Sequence, residues 1–244
     1  MRLSVKYTLM CIVALLFQIN ATARQKKNDF VSIFDGKTLN GWECDTAYWR
    51  VENGILIGEI IPAKPLKSNT FAIWRAGEPK NFELKFQYKI SKDGNSGINY
   101  RSEKVTGVPY ALKGYQADID GMNRYTGQNY EERGRTTLAY RGQTTKVNAA
   151  TGTESIKNNA WVSSVVVKSQ SRDSLQQFIK TDDWNEVHLI VKDNRLQHYV
   201  NGVLMSDVTD NDTMNQKLKG WLGMQVHVGP PMKVEFKDIW LKAL

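Results

Sequence analysis

Cysteine is nearly absent: the 244 residues hold two, Cys11 and Cys44. Cys11 lies inside an N-terminal apolar stretch, so a protein that loses that stretch keeps Cys44 alone and has no internal disulfide. Its stability must then come from a packed core. No apolar run approaches the roughly 20 residues that a membrane-spanning helix needs, which argues against a membrane span. No block of like charge occurs either. Lys and Arg total 33 against 25 Asp and Glu, a formal net charge of +8, and the two signs are interspersed. That pattern lacks the concentrated basic surface by which proteins grip nucleic acid or an anionic membrane. Also missing are a nucleophile elbow, an H-E-x-x-H zinc pair, a Walker loop, a dinucleotide glycine motif, internal repeats and any long stretch of 3.6-residue apolar period.

What is present begins with an export signal. Arg2 and Lys6 form a positive region, Tyr7 to Phe17 an apolar run, and Ala21-Thr22-Ala23 a small-residue cleavage site. Residues 1–23 are predicted to be removed as a signal peptide. Residues 24–244 are then a single domain, exported to the periplasm or secreted. Because Cys11 sits within the apolar run and not just after it, it does not match a lipoprotein cysteine. Loss of Arg2 and Lys6 lowers the net charge to +6, a mild bias on a chain long enough for one large core.

The periodic stretches have the period of strands. Phe82 to Ile90 alternates apolar and polar through nine positions, which predicts Phe82, Leu84, Phe86, Tyr88 and Ile90 on one buried face. A turn over 91–97 leads to a second strand at Ile98 to Ser102. Trp184 to Lys192, Arg195 to Val200 and Val203 to Met205 form a meander, with Asn201-Gly202 as a hairpin turn. Trp49 to Glu52 and Ile55 to Gly58 make another hairpin. Gly220 to Val228 and Met232 to Leu241 are strands joined by Gly229-Pro230-Pro231. Many short strands with Gly, Asn and Asp turns predict an all-β sandwich or jelly roll. Residues 142–160, rich in Thr, Gly, Asn and Ala, read as an exposed loop, and Asp173 to Lys180 as a short helix. Trp42, Trp49, Trp184, Trp221 and Trp240 accompany strand patterns and read as core, whereas Trp74 and Trp161 lie near loops and are candidates to stack on a sugar.

Three polar patches interrupt this grammar. Gln116, Asp118 and Asp120 share one face of a strand, which is either a wet face or a site. Tyr125 to Arg135 combines adjacent carboxylates, arginines and tyrosines, as a surface salt-bridge cluster or a grip for a polar ligand. Gln225 and His227 face the same way before the Gly-Pro-Pro turn, where a histidine serves as base, metal ligand or surface group. His188 and His198 read as polar-phase residues with structural or solvent roles.

The ordered series Phe34 to Trp42, Trp49 to Gly54, Gly94 to Arg101, Gly114 to Asp120, Trp184 to Glu186, Asn201-Gly202 and Gly223 to Gly229 resembles the DUF1080 family, the 3-keto-glycoside lyase, hydratase or hydrolase domain, over residues 30–244. The resemblance implies a concanavalin A-like jelly-roll β-sandwich of two antiparallel sheets. It also implies a substrate, a glycoside whose C3 hydroxyl has become a ketone. Such a ketone acidifies the C2 proton, so a base can remove it, the enolate can be stabilised and the C1 substituent expelled; water then completes a net hydrolysis.

Carried onto this chain, the resemblance makes His227 the first candidate for base or metal ligand, with Gln225 orienting substrate beside it. Asp118, Gln116 and Glu132 are candidates to bind sugar hydroxyls or a divalent cation, the candidate ligands being Asp118, Glu132 and His227. Arg101 and Arg133 are candidates to hold the enolate, and Tyr130 and Asn99 to contact substrate. Where many relatives carry an aspartate between the equivalents of Gln225 and His227, this chain has Val226. The competing expectation is a non-catalytic carbohydrate-binding module on the same sandwich.

Overall fold

The nine-residue alternation becomes a strand of that length. In the computed structural model, which describes residues 29–244, Phe82–Ile90 buries Phe82, Leu84, Phe86, Tyr88 and Ile90 and leaves the intervening polar residues at the surface. The predicted signal peptide and its cleavage point lie outside the described residues. Ser32–Leu244 form one compact unit, and among the described residues no helix is long and apolar enough to cross a membrane.

Strands are numbered in chain order from β1 (Val31–Ser32). One sheet runs β14 (Ser164–Ser169), β11 (Gln143–Val147), β17 (Val203–Asp210), β16 (Arg195–Val200), β15 (Asn185–Lys192), β6 (Phe82–Ile90), β19 (Met232–Ala243), β4 (Ile55–Ile60) and β3 (Trp49–Glu52). The other runs β12 (Ile156–Lys157), β13 (Ala160–Trp161), β10 (Thr136–Ala139), β9 (Asn129–Glu132), β8 (Leu112–Asp120), β7 (Asn95–Lys104), β18 (Trp221–Val226), β5 (Thr70–Trp74) and β2 (Trp42–Glu43). The two sheets pack as a jelly-roll β-sandwich. Tyr100 of the second sheet meets Phe82 of the first edge-on, with 6.2 Å between ring centroids, and stacks on Tyr115 at 5.6 Å. Burying each such ring contributes roughly 2–3 kcal/mol.

Several expectations need correction. The sheets are mixed, because β11 pairs parallel with β17 and β10 parallel with β13. Both β11 and the β12–β13 hairpin come from the segment read as an exposed loop. Its small polar residues mislead because their hydrogen-bonding groups are met internally: Thr145, fully buried, donates its hydroxyl to the Leu138 carbonyl at 3.1 Å. The helix is short, α1 (Arg172–Gln176), capped by the Ser171 hydroxyl accepting the Ser174 N–H. Among the tryptophans, Trp240 is 41 % exposed and Trp161 is buried, its indole N–H donated to the Asn148 carbonyl at 2.8 Å.

His198 is also misplaced by the polar-phase reading. It shares the inward phase of Leu196 and Val200 and lies between the sheets, where Nε2 is 2.8 Å from the Tyr100 hydroxyl and Nδ1 is 3.3 Å from the Gln128 carbonyl. Burial pulls its pKa down to about 4, against the opposing pull of the Gln128 carbonyl and Asp207. His188 does lie on the outer phase, 2.8 Å from Glu83.

Candidate functional site

Strand alternation sends Tyr115, Ala117 and Ile119 of β8 into the sandwich and Gln116, Asp118 and Asp120 to the opposite face. The register lines up partners there. Gln116 stands opposite Tyr130 of β9 and Asn99 of β7, Asp118 opposite Gly97, and Asn99 opposite Gly223 of β18. The result is a cleft of about 190 Å³ on the outer face of the second sheet. Of the residues singled out from the sequence, Gln116, Asp118, Tyr130, Glu132 and His227 line it. Tyr125 and Gln128, from the run 125–135 read as a possible grip, line it as well; Asn95 and Asn159 line it and were not anticipated. Gln128 was legible, since it keeps the two-residue phase of Tyr130 and Glu132. Tyr125 and Asn159 arrive from turns that carry no such period.

Asp118 sits at the floor, 8 % exposed. Gln116 Nε2 donates to its Oδ1 at 2.6 Å and Gln128 Nε2 to its Oδ2. Burial pushes the carboxyl up to about 7; the two amides oppose that rise, and the charges of Glu132 and Asp120 add to it. A carboxyl poised near neutrality can take or give a proton at working pH. Gln116 lies flat because Gly97 is beneath it: a Cβ on Gly97 would stand 2.6 Å from Gln116 Cγ and Cδ.

Asn69 ties the far wall together. Its amide donates to Glu132 Oε1 at 2.9 Å, and its carbonyl accepts the Val228 N–H at 2.9 Å. The segment after β18 is thereby fastened to Glu132, with the His227 N–H donated to the Asn95 carbonyl at 3.2 Å. His227 Nδ1 lies 2.6 Å from the Val228 carbonyl. A carbonyl only accepts, so Nδ1 carries the proton and, in the neutral ring, Nε2 is the acceptor. Burial, then the charges of Glu132 and Asp118, push the Tyr130 hydroxyl up to about 12. It stays a donor at neutral pH.

The run 125–135 is divided between two tasks by the same alternation. Tyr130 and Glu132 face the cleft, while Glu131 faces inward and pairs with buried Arg135, which also holds Asp210 and Asp212. The expected salt-bridge cluster is on the inner face of β9, and Tyr130 and Glu132 are on the opposite one.

Four candidates stand back from the cleft lining. Gln225 is fully buried and donates to Gln116 Oε1 at 2.9 Å. Asn99 is fully buried and donates to the Ser102 hydroxyl at 3.3 Å. Arg133 lies at the rim, its guanidinium 3.8 Å from Glu132 and donating to the Ser68 hydroxyl at 3.0 Å. Arg101 is elsewhere. Two residues beyond Asn99, it is 1 % exposed and turned away from the cleft, donating to the carbonyls of Lys80, Asp193 and Lys217. Its donors serve backbone carbonyls, so it cannot hold an enolate in this cleft.

No group of three His, Cys, Asp or Glu among the described residues is arranged to hold a metal ion. Asp118, Glu132 and His227 share the cleft without forming one ligand set. The glutamine amides engage both Asp118 oxygens, Asn69 engages Glu132, and His227 Nδ1 turns to its own neighbour. The residues present do not fit a resident cation.

Amides, carboxyl groups, two tyrosines and a histidine thus line one cleft on the outer face of the second sheet. The 3-keto-alpha-glucoside-1,2-lyase-like domain model matches residues 29–242, and the chain belongs to that family. A curated Bacteroides thetaiotaomicron protein named 3-keto-disaccharide hydrolase is 36 % identical over 83 residues, which cover 32 % of this chain and 29 % of that protein. The match thus spans under a third of the relative's length. Among solved structures, one from Parabacteroides distasonis described as a candidate glycosyl hydrolase superposes with a TM-score of 0.55 at 19 % identity, covering 88 % of this chain and 94 % of the other. The carbohydrate-binding module CBM66 of Bacillus subtilis superposes with a TM-score of 0.51 at 14 % identity, covering 83 % and 96 %. At those identities the likenesses speak for the fold.

Proposed function

We propose that the protein is an exported carbohydrate-active enzyme that cleaves 3-keto-glycosides by elimination and hydration. The observation that carries this reading is the convergence of a buried carboxyl poised near neutrality, Asp118, with Glu132, Tyr130 and His227 in one cleft of a chain from this family.

Asp118, as carboxylate, removes the C2 proton, and the C2–H electron pair moves into the C3 carbonyl to give an enolate. The Tyr130 hydroxyl, still protonated, donates to the enolate oxygen. When the electron pair returns to form the C1–C2 double bond, the C1–O bond breaks and the departing oxygen takes the proton held by Asp118. Water then adds to the enone: its oxygen bonds to C1, C2 regains a proton, and His227 Nε2 accepts the water proton in passing. Glu132 and Gln116 hold sugar hydroxyls. The net change is hydrolysis of the glycosidic bond without an oxocarbenium ion, so no pair of carboxylates at glycosidase spacing is required.

The test is release of a chromogenic aglycone from a 3-keto-glucoside by the wild type, its Asp118→Asn variant and its His227→Ala variant. Turnover by the wild type that falls at least 100-fold in Asp118→Asn is expected. Sugar binding by the wild type with no turnover makes the protein a non-catalytic binding module.

A further inference from the structure

We infer that Tyr125 is the stacking residue of the cleft, the side chain against which the C–H face of a pyranose ring rests, and that the loop carrying it is built to hold it there. The inference rests on the reading of the cleft as a sugar site and names how that site takes hold of the ring.

Tyr125 lines the cleft yet is 40 % exposed, so its ring contributes little to the core. The floor below it is polar: Gln116, Asp118, Gln128 and Glu132 match hydroxyls and offer nothing to the apolar face of a sugar. An aromatic ring supplies that surface. Tyr130 is the other aromatic residue of the cleft and is the more enclosed of the two.

The loop over residues 121–127 is clamped from both polarities of its backbone. Asp120, 2 % exposed, accepts the N–H groups of Arg124 at 3.0 Å, Tyr125 at 2.7 Å and Thr126 at 3.0 Å. Arg141, also 2 % exposed, donates from Nη1 to the carbonyls of Asn123 and Thr126, each at 2.8 Å, and from Nε to the carbonyl of Arg172. The carboxylate gathers donors and the guanidinium gathers acceptors. Burying an ionised group is unfavourable unless its bonding capacity is met, and here two such groups are spent on one short surface loop. The Arg124 guanidinium, 3.8 Å from Asp120, lies 5.5 Å from the Tyr125 ring centroid and braces it. A ring held in place before the ligand arrives loses less entropy on binding than one on a free loop. The fitting ligand is a neutral pyranoside with one ring face bare of axial hydroxyls.

The test uses the mature chain with two readouts: turnover of methyl 3-keto-α-glucoside, and binding of unreactive methyl α-glucoside followed by ligand-detected NMR. Tyr125→Ala is expected to raise KM and the methyl α-glucoside Kd by about 5- to 20-fold with kcat within twofold of wild type and Tm unchanged. Tyr125→Phe should stay within twofold on every measure. Arg141→Met, which retains the tyrosine but frees its loop, should raise Kd in the same direction. Unchanged Kd and KM in Tyr125→Ala overturn the inference, as does a loss confined to kcat. A wild type that binds without turnover sinks the catalytic reading alone, because the Kd comparison still decides the role of Tyr125. A wild type that binds no glycoside sinks both.

Discussion

Gln225 donates its side-chain amide to Gln116 Oε1 across 2.9 Å, and Gln116 passes its own amide on to Asp118 at 2.6 Å. A residue outside the cleft lining thus sets which way the Gln116 amide faces. Gln225 Oε1 has no hydrogen-bond partner, so an apolar side chain of similar size removes one buried orphan but leaves buried Gln116 without its Gln225 partner, and the stability loss should be about 1–3 kcal/mol. Gln225→Leu frees the Gln116 amide to turn its carbonyl toward Asp118, which favours the protonated acid. The acid limb of the kcat/KM profile is expected to move upward by roughly half to one pH unit. A profile superimposable on wild type would show that Gln225 does not orient Gln116.

Asp118 predicts both an activity profile and a stability profile. The carboxylate is the working form of the base, so kcat/KM should rise with pH through about 7 and fall away below it. For stability, the folded value of about 7 lies above the ordinary carboxyl value of 3.8. Stability from this group is complete below 3.8 and is lost as pH rises through 7. Between pH 5 and pH 8 the wild type should lose roughly 3 kcal/mol that Asp118→Asn does not, measured by urea unfolding of both at the two values.

His198 acts in the opposite direction. Its folded value of about 4 lies below the ordinary imidazole value of 6.5, so stability from keeping it neutral is present above 6.5 and lost as pH falls toward 4. His198→Gln does not titrate. The wild type should lose roughly 3 kcal/mol more than this variant between pH 7.5 and 4.5; equal losses would mean that the ring is hydrated in the folded protein.

Gly97 is the support under Gln116. A methyl at this position meets the Gln116 side chain at 2.6 Å, and that side chain must lift. Gly97→Ala is expected to lower kcat/KM about tenfold, with the Tm falling by no more than a few degrees. An unaffected kcat/KM would show that the position of the Gln116 amide is unimportant.

Export is testable without activity. Expression in a Gram-negative host with the full leader should yield a periplasmic protein whose intact mass begins at Arg24. Retention of residues 1–23 on the isolated protein would contradict the cleavage site.

Much of the sandwich was legible because its strands are amphipathic. The phase of Phe82–Ile90 alone identified a buried face, and the polar residues out of keeping with such a face, Gln116 and Asp118, led to the cleft. The same phase places His198 inside, between Leu196 and Val200. Arg101 shows the limit. Its residue type suits an oxyanion, but its destination depends on a left-handed backbone, φ 45°, at an irregularity in the β7–β8 register, and on three carbonyls from distant segments. Asn69 was invisible for a similar reason, because its two partners lie 63 and 159 residues away.

The opposed faces of β9 have a consequence for how this site can diversify. Tyr130 and Glu132 serve the cleft only while Glu131 reaches Arg135 and, through it, Asp210 on the other sheet. Inserting or deleting one residue in this strand would exchange the faces, bringing Glu131 out to the ligand and driving its neighbours into an internal ion network. New specificities in this fold should therefore arise by substitution along β9 and by length changes in the turns that flank it, with the strand itself held to a constant residue count.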